Sequence, residues 1–244
     1  MALQANQIVT LACQVAKVPA FTAQAGQLLN MILSDLSQTY DLEVARGLYL
    51  FNFNSATGTG SGPYTLPSDW LRARNKDVFY TIDGVVYPMI KVEIEEYDWF
   101  VQQAGLEAYP SYYTTDMSLS PPVMFVWVPP SGSFPVTCRY YKQKADIVDP
   151  ETSTEVPWFP SQDYLITRLA GELMKICNDD RCGDFLGDGK GGQGLPQGAQ
   201  YMLDRYLKKQ GDRNDVVSRV SLDRRMFGRN ARLAGLPNTK TIGW

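Results

Sequence analysis

The chain has 244 residues, 44% of them hydrophobic and 12% aromatic, with a formal charge of −3 and no histidine. That length and apolar fraction suffice for one large domain or two small ones with a real core. The missing imidazole excludes Ser–His and Cys–His nucleophiles within the chain and removes the commonest metal ligand, and no apolar run reaches the length of a membrane span.

Residues 3–18 read as a helix, with Leu3, Gln7, Ile8, Leu11, Val15 and Val18 at three- and four-residue spacing. Pro19 ends it. Thr22 is then placed to cap a second helix over about residues 23–45, with Leu28, Leu29, Ile32, Leu33, Leu36 and Tyr40 as its stripe and Gly47 as its stop. From Leu48 the period changes: Leu48 to Phe53 is aromatic and strand-like, and a Gly- and Ser-rich loop follows over 55–63. Val78 to Ile82, Asp83-Gly84 and Val85 to Tyr87 spell a β-hairpin with a type I′ turn, because both central residues of that turn need positive φ. Val92 to Gln103 predicts a short acidic helix. Val123–Val128 and Phe134–Tyr141 are expected to pair as a second hairpin across Pro129 to Ser133.

Residues 146–160 form an acidic, Pro-rich connector. A strong helix is predicted over 162–179, a Gly-rich loop over 183–198 and a last helix over about 197–210. The expected fold is therefore α+β. Residues 1–47 and 146–211 build an antiparallel helical bundle, 48–145 form an inserted antiparallel β-rich domain, and 212–244 form an extended C-terminal arm.

Little here suggests chemistry. Gly187 to Gly194 fits G-x-G-x-x-G formally, but it follows a helix rather than a strand, and Lys190 is followed by Gly191, so neither dinucleotide nor P-loop context is present. Glu93, Glu95, Glu96 and Asp98 could in principle supply a glycosidase carboxylate pair, but acids at a helix start are favoured by the dipole and read as a solvated face. Asp179, Asp180, Asp184 and Asp188 lack calcium-loop spacing. Cys13, Cys138, Cys177 and Cys182 form no zinc set, and residues 1–6 carry no basic leader, so the thiols read as reduced and mostly buried. No catalytic residue, cofactor or metal is expected.

The charge distribution is more informative. Seven Lys and Arg against three Asp give residues 212–244 a charge of +4, which leaves −7 on residues 1–211. Within this tail, Arg219, Arg224, Arg225, Arg229 and Arg232 alternate with Leu222, Phe227 and Leu233. Three readings are open: a solubilising end, a DNA-binding tail, and an arm that orders on a protein partner. Disordered ends seldom carry so many large apolar groups, and apolar anchors have no part in phosphate contact. The arm is therefore favoured, with a DNA-binding protein acting through the same tail as the alternative.

Four stretches carry a family likeness: Gly26 to Gly47, Pro63 to Leu71, Tyr87 to Asp98 and Pro157 to Leu165. In that order they resemble the head-to-tail adaptors (connectors, or tail accessory factors) of tailed bacteriophages, especially short-tailed ones. The resemblance implies a structural virion protein at the head–tail junction, assembled in the host cytoplasm and not membrane-bound. It implies a ring of twelve copies (a dodecamer) beneath the portal protein, contact with a tail nozzle or tail-tube protein, and a channel for double-stranded DNA. The portal-binding residues expected on that basis are Arg219, Arg224, Arg225, Phe227, Arg229, Arg232 and Leu233. An acidic channel wall would keep passing DNA from sticking.

Overall fold

The computed structural model describes residues 2–53, 62–102, 109–187 and 198–211; for 74–76 and 211 only the backbone is described. The fold class is α+β. The chain divides into two compact units, residues 1–162 and 163–244.

The first unit opens with an α-hairpin, α1 (Ala5–Ala16) and α2 (Thr22–Thr39). The Gln7 side chain accepts the Gln4 N–H at 3.0 Å and so satisfies one free donor at the start of α1. Lys17, at φ 62°, ends the helix in a left-handed turn in which Val18 N–H reaches the Cys13 carbonyl at 2.9 Å. The inward face of α1 differs from the expected stripe: Ala5, Ile8, Val9, Ala12, Cys13 and Ala16 are buried, while Leu11 and Val15 are exposed. Both sets have helical spacing. The buried one is narrow, and three alanines let α2 approach closely with Leu29, Ile32, Leu33 and Leu36.

Helix α2 also ends sooner than the sequence suggests. Thr22 is its first residue rather than its cap, and the helix stops at Thr39, where Tyr40 turns to extended backbone. A short 3₁₀ turn, Glu43–Ala45, leads straight into strand β1 (Arg46–Asn52). Gly47 therefore lies inside a strand. It faces Tyr140 across the ladder, and a Cβ there would meet that ring at 2.7 Å.

The β region is two four-stranded sheets. Its remaining strands are β2 (Tyr64–Thr65), β3 (Trp70–Ile82), β4 (Val85–Pro88), β5 (Ile90–Lys91), β6 (Tyr112–Asp116), β7 (Val123–Trp127) and β8 (Pro135–Lys142). The first sheet has order β1-β8-β3-β4 and the second β2-β7-β6-β5. The β3–β4 hairpin forms as expected, with φ 48° at Asp83 and φ 80° at Gly84. The second expected hairpin does not form: β7 pairs with β2 and β6, and β8 pairs with β1 and β3. Pro129 and Pro130 cannot donate to a ladder, so β7 ends at Trp127 and the chain crosses to the other sheet. Pairing is antiparallel throughout except between β5 and β6, which run parallel.

Inner faces of both sheets share one core, including Phe53, Trp70, Tyr80, Met89, Tyr113, Met124, Val136 and Cys138. Trp70 stacks on Tyr140 at 4.7 Å between centroids, and the Tyr140 hydroxyl donates to Asp69 Oδ1 at 2.8 Å. Helix α3 (Ile94–Val101) covers the outer side of the second sheet, with Tyr97 against Phe125 and Phe100 stacked on Tyr112 and Trp127.

Two clamps join these parts. The Arg72 guanidinium, on β3, donates to the carbonyls of Gln38 and Tyr40 at the end of α2, pairs with Asp41 at 3.3 Å and lies 5.3 Å from the Tyr141 ring centroid. The Asn30 side chain on α2 donates to the Ile147 carbonyl at 2.9 Å and accepts the Ile147 N–H at 3.1 Å. The connector then runs beside the start of α1, where Ala5 N–H reaches the Glu155 carbonyl at 2.8 Å and Asn6 N–H that of Ser153 at 3.2 Å.

The second unit holds α4 (Gln162–Ile176), α5 (Cys182–Leu186) and α6 (Gly198–Gly211). The expected loop over 183–198 thus begins with a short helix. Leu186 packs over Gly171 of α4, where an added Cβ would meet its side chain at 2.7 Å. Asp163 in the first turn of α4 and Lys175 in its last both favour the helix dipole.

Candidate interaction surfaces

The expected portal-binding residues, Arg219, Arg224, Arg225, Phe227, Arg229, Arg232 and Leu233, lie outside the described residues. So do 188–197 of the Gly-rich stretch, whose first residue, Gly187, ends α5 in a left-handed conformation. The reading of 55–63 as a loop also falls mostly outside them.

The acidic cluster sits where the dipole reading puts it. Glu93 precedes α3, Glu95 and Glu96 occupy its first turn, and all three are exposed. Asp179 is held in a two-pronged ion pair with Arg181. Among the described residues no group of three or more His, Cys, Asp or Glu could hold a metal ion, and no helix is long and apolar enough to cross a membrane. Of the four thiols, Cys13 and Cys138 are buried, Cys182 is half-buried and Cys177 is exposed. Burial pushes the Cys138 thiol up to about 12, so at neutral pH it is a protonated, inert apolar group. Burial likewise raises Tyr113, whose hydroxyl sits in the shared core.

The outward faces are more telling. On the first sheet, strict alternation turns Leu48 and Leu50 of β1 to solvent, and they are 61% and 63% exposed. The ladder places Leu48 beside Arg139, and Leu50, Thr137, Phe79 and Pro88 in one row across all four strands. Val86 and Thr81 pair in the next row. An outer sheet face normally carries polar side chains. This one is mostly apolar, with a guanidinium and no carboxylate among those positions, the signature of a surface that meets another molecule. Arg139 lies over the Phe79 ring at 5.7 Å.

On the opposite side of the β region, α3 uses Tyr97 and Phe100 to pack and leaves Glu95, Asp98 and Trp99 outward. Trp99 is 57% exposed. A large exposed indole between carboxylates again reads as a contact anchor. Sequence reading missed both surfaces. The available signal was that Leu48 to Phe53 is apolar at every position but Asn52, so both of its faces are apolar and one has to be covered by something else.

Residues 5–230 match the family described as SU10 adaptor protein. The chain belongs to that family. It is thus a structural phage adaptor, of the head-to-tail kind to which the sequence bore a likeness. No curated protein matches it.

Proposed function

We propose that this adaptor sits in the virion at the head–tail junction, forms a dodecameric ring beneath the portal protein, meets a tail nozzle or tail-tube protein on its other side, and lines the channel for double-stranded DNA. The family match over residues 5–230 carries this reading. In the same reading, the helices of 1–47 and 146–211 pack as a bundle from which 48–145 projects. The arm 212–244 docks on the portal, with Phe227 and Leu233 in apolar pockets and Arg219, Arg224, Arg225, Arg229 and Arg232 on carboxylates.

The test is attachment. A chain lacking 212–244, checked for native circular dichroism, is mixed with portal-bearing heads and sedimented. Loss of co-sedimentation is expected, and full attachment of the truncated chain would overturn the arm assignment. A second reading rests on the +4 charge of 212–244: the tail binds DNA. Affinity for duplex that falls steeply with salt, together with indifference to portal, would favour it over the first.

A further inference from the structure

We infer that neighbouring adaptors in the ring meet head to tail through the β region: the outer face of the first sheet of one copy seats the α3 face of the next. This deepens the ring reading and rests on it. The two surfaces lie on opposite sides of the same β unit, because the sheets share one core and α3 covers the far side of the second sheet. One presents Leu48, Leu50, Phe79 and Arg139; the other presents Trp99 flanked by Glu95 and Asp98.

They are complementary in kind and in sign. The sheet face offers a flat apolar row with a cation at its margin. Helix α3 offers one large flat ring between anions, and Ile94–Val101 contains no Lys or Arg. A second copy of this chain is the occupant because the chain itself supplies both halves of this match. Two different patches that fit one another, on opposite sides of one body, generate a heterologous contact. Such contacts propagate in one direction and close as a ring where the rotation from copy to copy divides a full turn, whereas a self-complementary patch stops at a dimer. The apolar row supplies the buried area. Arg139 against Asp98 or Glu95 sets register and rejects the wrong face.

The test is made on assembled particles carrying the full chain. Leu50→Cys and Trp99→Cys in one chain, treated with a short bismaleimide, should give a ladder of covalently joined copies. Either substitution alone should give only the background from the native thiols. In parallel, Arg139→Glu should cut the amount of adaptor retained on particles at least about tenfold, the order expected for reversing a close interfacial charge pair. Adding Asp98→Arg or Glu95→Arg should restore most of it. Particles that hold many adaptors yet give no ladder, or charge reversals that never compensate, would overturn this interface while leaving the ring intact. A mass corresponding to a single adaptor per particle would instead overturn the ring reading.

Discussion

Replacing Arg72 with alanine tests how the helical hairpin is fixed to the β region. The guanidinium satisfies two carbonyls at the end of α2, where four such groups lack helical partners, and adds a cation at the negative end of the dipole. A hydrogen bond from a charged donor is worth about 1.5–3 kcal/mol net, but this side chain is 30% exposed and water can take its place. The ion pair with Asp41 contributes at most about 1 kcal/mol, and the Tyr141 contact about 0.5–1. The expected loss is about 2–3 kcal/mol. With a urea slope of about 2 kcal/mol per molar, the midpoint falls by about 1 M. Arg72→Lys keeps the charge and loses the fork, so it should recover less than half. Amide exchange at the last turn of α2 should quicken in both variants. A midpoint within about 0.25 M of the parent for alanine, or equality of lysine with arginine, would refute the clamp.

The other predictions concern the connector and the buried thiols. Asn30→Ala removes both bonds to Ile147, and about 2 kcal/mol of stability should go with them; limited proteolysis should then cut within 146–155, where the parent resists. A thiol reagent on native protein should label Cys177 readily and leave Cys13 and Cys138 unlabelled until urea exposes them. Stability should fall as pH rises from 9 toward 12, because the unfolded Cys138 thiol ionises near its usual 9.0 while the folded one keeps its proton to about 12. Buried Tyr113 and Tyr140 act in the same direction above pH 10. Cys138→Val should flatten the lower part of that decline, as read by urea midpoints at pH 8 to 10.

What the sequence revealed was local. The Asp83-Gly84 hairpin was legible because its turn chemistry resides in two residues, and α2 and α4 because their stripes repeat over several turns. The partner of β8 was not legible. A Pro-Pro-Ser-Gly-Ser link looks like a hairpin loop, but pairing was decided by β1 and β3, far away in the chain. Strand β6 was missed because Tyr112 to Asp116 has no alternation to betray it. The inward face of α1 was misread because small residues pack as tightly as large ones when a second helix comes close. The basic charge of 212–244 was legible as an anomaly of composition. The sheet row was not, since Leu50, Phe79 and Pro88 become neighbours only through the ladder.

The pairing of β1 with β8 sets a schedule for the growing polypeptide. Arg46 lies opposite Tyr141 and Asn30 holds Ile147, a separation of 117 residues. At the ribosome's pace of about 5–20 residues per second, β1 waits roughly five to twenty seconds for its partner strand. During that interval Leu48 and Leu50 sit on an unpaired ribbon, open to any sticky neighbour. The hairpin of α1 and α2 has to mature alone until the connector arrives, so truncated products of synthesis should collect as aggregates rather than as small folded pieces.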